Sequence, residues 1–169
     1  QFMQPNLIQT VATALAESGL SAQFLELEIT ESCLMPGAVE TLRTLKQMGV
    51  QIAIDDFGTG YSNLGYLKKF PIDSLKIDQS FVRNIATDHN DAAIVRAIIA
   101  MAASLGLDVI AEGVETEKQL QCVSQYQNII VQGHLFGWPM PAAAFEQFLQ
   151  KVASDNLSAQ ARLRLNAAV

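Results

Sequence analysis

The run Ile52-Ala53-Ile54 delivers two adjacent carboxylates, Asp55 and Asp56, into the glycine-bearing stretch Phe57-Gly58-Thr59-Gly60-Tyr61-Ser62. From Gln51 to Ile54 the residues suit a strand buried on both faces, which parallel sheets provide and half-exposed antiparallel sheets do not. The two aspartates then stand at its C-terminal end. Neighbouring residues on a strand point to opposite sides, so both can serve one site only where the chain leaves the strand and twists. Gly58 and Gly60 supply that freedom. Two carboxylates packed together repel unless a proton or a cation compensates, and hard oxygen ligands favour Mg²⁺ or Mn²⁺. An isolated Asp-Asp pair is more often a solvated turn, so the rest of the chain decides.

The rest of the chain repeats one rhythm. Leu7, Ile8, Val11 and Leu15 recur at helical spacing between Pro5 and Ser18, with Gly19 placed to end the helix. Phe24 to Thr30 reads as a strand whose second half alternates, setting Glu26, Glu28 and Thr30 on one face and Leu25, Leu27 and Ile29 on the other. In a closed parallel barrel such carboxylates point inward at the mouth. Gly37 to Met48 is helical through Val39, Leu42, Leu45 and Met48, and the Asp55-Asp56 strand follows. Ser74 to Asp78 is a short strand, and Asp91 to Leu105 a long apolar helix with Ile94, Ile98, Met101 and Leu105 as its stripe. Leu107 to Glu112 is another strand, Thr116 to Gln125 a helix, Ile129 to Gln132 the last strand, and Phe145, Phe148, Leu149 and Val152 mark a closing helix.

Strands alternating with helices imply right-handed βαβ units and a parallel sheet. Each of the five strands ends in a polar group: Glu28, Asp55 with Asp56, Lys76, Glu112 and Gln132. A TIM-like (β/α) barrel carries its chemistry at those C-terminal strand ends. An open parallel sheet of flavodoxin type is the alternative, and it would gather the site at one switch point. With 169 residues against about 250 in a complete barrel, the expectation is a barrel incomplete at its N-terminus. Residues 1–153 are expected to form that partial domain and 154–169 a poorly patterned tail.

A net charge of −6 argues against binding a nucleic-acid polymer, which needs a basic footprint. It leaves room for a phosphate-bearing ligand held through cations. No run of the sequence approaches a membrane span and Cys33 and Cys122 lack paired spacing, so a cytoplasmic, membrane-free domain is expected. His89 and His134 lie near no recognisable nucleophile motif, which leaves a hydrolytic triad with weak support. Gly58-x-Gly60 is a poor phosphate loop because Asn63 stands where a third glycine would be.

Taken in order and spacing, Glu28-Ile29-Thr30-Glu31-Ser32, Asp55 to Ser62, Leu75-Lys76-Ile77-Asp78, Glu112-Gly113-Val114-Glu115 and Gln132-Gly133-His134-Leu135-Phe136 closely resemble the EAL-domain family of cyclic di-GMP phosphodiesterases. The resemblance runs from the first residues to about Phe148. It implies that Glu28, Asp55, Asp56 and Glu112 bind two Mg²⁺ or Mn²⁺ ions, with Asp55 bridging. It implies that Lys76 holds or activates the attacking water, that Gln132 contacts that water or the substrate, and that Glu31 anchors the loop from Asp56 to Ser62. Cyclic di-GMP would be opened to linear pGpG in bacterial second-messenger signalling, with Ca²⁺ inhibitory because it accepts looser geometry and acidifies water less.

Glu26 and Asp78, one alternation step away, are read as structural. A homodimer is implied, as is a parent protein with room for an upstream sensor or diguanylate-cyclase-like domain and a membrane anchor. The family's Glu-Ala-Leu tripeptide, the arginine after it and a metal-binding asparagine are absent from this chain. Glu40-Thr41-Leu42-Arg43 mimics the signature but lies on a helix after the Glu28 strand. Tyr126-Gln127-Asn128 replaces a Gly-Cys-Asp, and His134 a common tyrosine. The chain alone is therefore expected to be inactive. A non-catalytic receptor for the dinucleotide, or a dimerisation module, is the alternative.

Overall fold

The computed structural model describes residues 6–60 and 67–154. Helix α1 (Leu7–Ser18) lays Val11 into the core and ends at Gly19. A short 3₁₀ turn, Ala22–Phe24, takes the first residues expected in the next strand, so β1 spans only Glu26–Thr30. Another such turn, Pro36–Ala38, precedes α2 (Val39–Gln47), whose Leu42 and Leu45 are fully buried. β2 (Gln51–Phe57) carries both aspartates within the strand, and β3 (Ser74–Ile77) is buried along its whole length. Asp78 caps a helix absent from the sequence reading, α3 (Gln79–Arg83), by accepting from the Ser80 N–H at 3.0 Å. It is followed by α4 (His89–Leu105), β4 (Asp108–Ala111), α5 (Glu117–Ser124), β5 (Ile129–Val131) and α6 (Ala142–Ser154).

The five strands form one parallel sheet in the order β1-β2-β3-β4-β5. A flavodoxin-like sheet would reverse direction after its first strands, whereas a barrel wall adds each new strand beside the last. The sequential order is that of a barrel wall. Among the described residues β1 and β5 each have one sheet neighbour. Of the expected tail, all but Ser154 lies outside the described residues. No helix among the described residues is long and apolar enough to cross a membrane.

Register explains the polar alternation. Thr30 pairs with Asp55, Ala53 with Ser74, and Lys76 with Ile110, which places Glu26, Glu28, Asp55, Ser74 and Lys76 on one face of the sheet. The Ser74 hydroxyl donates to Glu26 at 3.1 Å across that face, which makes Glu26 a structural partner as expected. The other face carries Ile29, Ile54, Leu75, Ile77 and Val109 against the helices. Helix α4 turns a different stripe inward from the one its spacing suggested: Val95, Ile98, Ile99 and Ala102 are buried, while Ile94 and Leu105 are exposed. It is apolar almost all round, so periodicity could not choose between adjacent stripes.

Candidate functional site

The site is built where the inward-facing residues of β1, β2 and β3 reach the C-terminal ends of the strands. In β2 the register shifts between Ile54 and Phe57, and Asp56 itself adopts a left-handed backbone with φ 54°. This is a bulge: an extra residue lets Phe57 return to the buried helix-facing side opposite Ile77 while Asp55 and Asp56 both stay at the rim. The twist that the sequence reading assigned to Gly58 and Gly60 thus lies at Asp56, an aspartate tolerating a conformation most side chains avoid. One oxygen from each of Asp55, Asp56 and Glu112 lies within 4.8 Å of the others.

Lys76 stands at the centre. Its side chain is 4% exposed, and its Nζ lies 2.6 Å from Glu28 Oε1, 2.7 Å from Glu112 Oε1 and 3.2 Å from Asp55 Oδ1. Burial pulls its pKa down, but hydrogen bonds to Glu112 and Glu28 and their charges outweigh it, so the pKa stands above the ordinary lysine value. The sequence left a depressed lysine open; in this geometry Lys76 is an ammonium donor. Burial raises the pKa of Glu112 despite Lys76, helped by the charges of Asp55 and Glu28. Asp56 is raised by desolvation and by the neighbouring carboxylates of Asp55 and Asp78. Three carboxylates around one ammonium, with Asp56 beside two of them, are all hard oxygen donors and fit a divalent-cation site.

A carboxyl whose pKa is higher in the folded chain than in the unfolded one takes up protons on folding, so its ionisation costs stability as pH rises. For Glu112 that loss begins near its ordinary value of 4.5 and is complete above its raised folded value. In thermal melts with chelator, the unsubstituted chain should therefore lose stability relative to Glu112→Gln as pH climbs from the ordinary value of 4.5 past the raised folded one. Parallel pH profiles of the two would contradict the assignment.

Glu31 lies under the loop after β2. It accepts from the Gly58 N–H at 3.3 Å, and a Cβ on Gly60 would come within 2.7 Å of Glu31 Oε1, so a side chain there would push this carboxylate aside. Residues 61–66, in the rest of that loop, lie outside the described residues. Gln132 is fixed through its backbone, donating to Ala111 O at 2.9 Å and accepting from the Val114 N–H at 3.1 Å. A Cβ on the adjacent Gly133 would overlap Val114 O at 2.1 Å, so the chain closes tightly here. Gln132 and Glu112 line a cleft of about 580 Å³ that is otherwise walled by His134, Trp138, Phe145 and Glu146 among others. The sequence reading missed this wall. His134 and Trp138 stack with ring centroids 3.8 Å apart at 15°, and Trp138 is 69% exposed. The chain's one tryptophan between Gly137 and Pro139 was the available signal.

The family model for the EAL domain matches residues 1–139. The chain belongs to the EAL domain family. As an EAL chain it is 48% identical over 153 residues to the cyclic di-GMP phosphodiesterase NbdA of Pseudomonas aeruginosa, covering 89% of this chain and 20% of that protein. It superposes on the PaMucR phosphodiesterase solved with c-di-GMP at a TM-score of 0.81 and 45% identity, covering 85% of this chain and 60% of the other. The manganese and c-di-GMP complex of BlrP1 from Klebsiella pneumoniae matches at a TM-score of 0.73 and 32% identity, covering 82% of this chain and 36% of the other. BlrP1 has also been solved with calcium and c-di-GMP. The chain spans about a fifth of the length of the curated relatives it matches, 18% to 22% in the first three.

Proposed function

We propose that this chain supplies the carboxylate and lysine part of a metal-dependent phosphodiesterase site that hydrolyses cyclic di-GMP to linear pGpG. The observation that carries the reading is the gathering of Glu28, Asp55 and Glu112 around the buried Lys76, with Asp56 at the rim, beside an aromatic cleft in an EAL chain. Glu28, Asp55, Asp56 and Glu112 would hold two Mg²⁺ or Mn²⁺ ions. Such a pair, when bound, would lower the pKa of water and neutralise charge on the phosphoryl oxygens.

Lys76, held by its buried stem, donates hydrogen bonds from its ammonium toward the attacking water. Gln132 presents its amide to the water or the phosphate from the mouth of the cleft. Glu31 holds the start of the loop that follows the proposed metal-binding aspartates. The cleft is of a size common for small-ligand sites, and the His134–Trp138 stack offers a face on which a purine can lie.

Incubating the intact protein with cyclic di-GMP and Mn²⁺ and separating products by chromatography tests the reading. Linear pGpG is expected. Saturable binding with no product would mean a receptor instead. We place the protein's site in the cytoplasm, in keeping with two free cysteines. Among the described residues β1 and β5 each have one sheet neighbour, and such open edges favour pairing with another copy. Residues 1–169 alone should therefore self-associate and turn over cyclic di-GMP negligibly; light scattering of a clean monomer with metal-dependent turnover would contradict this.

A further inference from the structure

Lys76 takes oxygens that the proposed ions would also need. Its side chain is 4% exposed, on the sheet face that it shares with Glu28 and Asp55. Its ammonium reaches across β2 to Glu28 on β1 and sideways to Glu112 after β4, binding one oxygen of each and one of Asp55. Asp55 and Glu112 also belong with Asp56 to the three-carboxylate group, whereas Glu28 lies outside it and shares Lys76 with two of its members. The two halves of the site are therefore unequal. On the Asp56 side an ion meets the exposed Asp56 carboxylate, which has no ion pair with Lys76, beside Asp55 and Glu112, which Lys76 also holds at 3.2 and 2.7 Å. On the Glu28 side it meets an oxygen already compensated by a buried cation at 2.6 Å.

Resting on the metal reading above, we propose that Lys76 is a built-in competitor for the second ion. It neutralises the Glu28 side until that ion displaces it, so ions load in sequence, first at Asp55–Asp56–Glu112 and then at Glu28. A fixed positive charge a few ångströms from a divalent ion weakens its binding strongly in a partly buried setting. Displaced from Glu28, the ammonium is released toward the water it is proposed to hold. Ion loading and positioning of Lys76 are then one event.

Calorimetric and electron-paramagnetic titration of Mn²⁺ into the intact protein, without substrate, tests this. The unsubstituted protein should take up Mn²⁺ in a tight and a weak phase. Lys76→Met and Lys76→Gln should tighten the weak phase at least tenfold. In chelator both variants should melt below the unsubstituted protein, and saturating Mn²⁺ should restore them, an ion replacing the lost ammonium among the carboxylates. Variants that stay unfolded with saturating Mn²⁺ would overturn the proposal, since an ion could not then stand in for Lys76. Uptake with equal or weaker affinity in both variants would overturn the competitor role and leave the metal reading intact. No uptake by the unsubstituted protein would overturn that reading itself, and the competitor role with it.

Discussion

Asp55→Asn should lower turnover of cyclic di-GMP by about a thousandfold or more, since a ligand of the proposed ion pair would govern charge stabilisation worth several kcal/mol and each 1.36 kcal/mol is tenfold in rate. The fold should survive. The change is nearly isosteric, the Asp55 side chain is 26% exposed at the rim, and an amide oxygen can still accept from the Asp56 N–H as Asp55 Oδ1 does at 3.0 Å. Lys76 retains Glu28 and Glu112 as partners. Product formation by chromatography and a thermal melt of the same preparation check both halves. A variant that loses its cooperative melt would make Asp55 a structural residue.

How much of this was legible in the sequence depends on which interaction fixes each feature. Glu28, Asp55, Lys76 and Glu112 could be gathered from spacing because a strand alternates with period two and a parallel wall stacks successive strands in register. The β2 bulge was not legible. It is a mismatch between β2 and β3, visible only once Phe57 is seen opposite Ile77 and Asp56 at positive φ. The α4 stripe failed for a similar reason: Val95 and Ile94 are equally apolar, and the sheet beneath decides which is buried. The direction of the Lys76 pKa depended on how many carboxylates reach its ammonium, which no local pattern encodes. The wall of the cleft joins residues after β5 with α6, and its aromatic stack is a tertiary contact.

The other large effect is the choice of cation. With chelator, hydrolysis by the intact protein should fall to background; Mg²⁺ or Mn²⁺ should restore it, and Ca²⁺ should bind without supporting turnover and compete with the active ions. Carboxylate oxygens serve all three, so donor chemistry alone does not discriminate. Geometry and acidity do. Ca²⁺ takes six to eight ligands at longer distances and acidifies water less, which loosens the alignment that Lys76 and the carboxylates impose. Rates measured after chelation and back-titration with each ion decide this. Equal rates with and without metal would remove the ions from the mechanism.

The central claim is that strand-end carboxylates make a two-ion site, and anomalous scattering from crystals of the intact protein grown with Mn²⁺ tests it most directly. The account predicts two peaks roughly 4 Å apart, with Asp55 between them, Asp56 and Glu112 on one side and Glu28 on the other. No peak among these four carboxylates in a protein that still forms pGpG would contradict it.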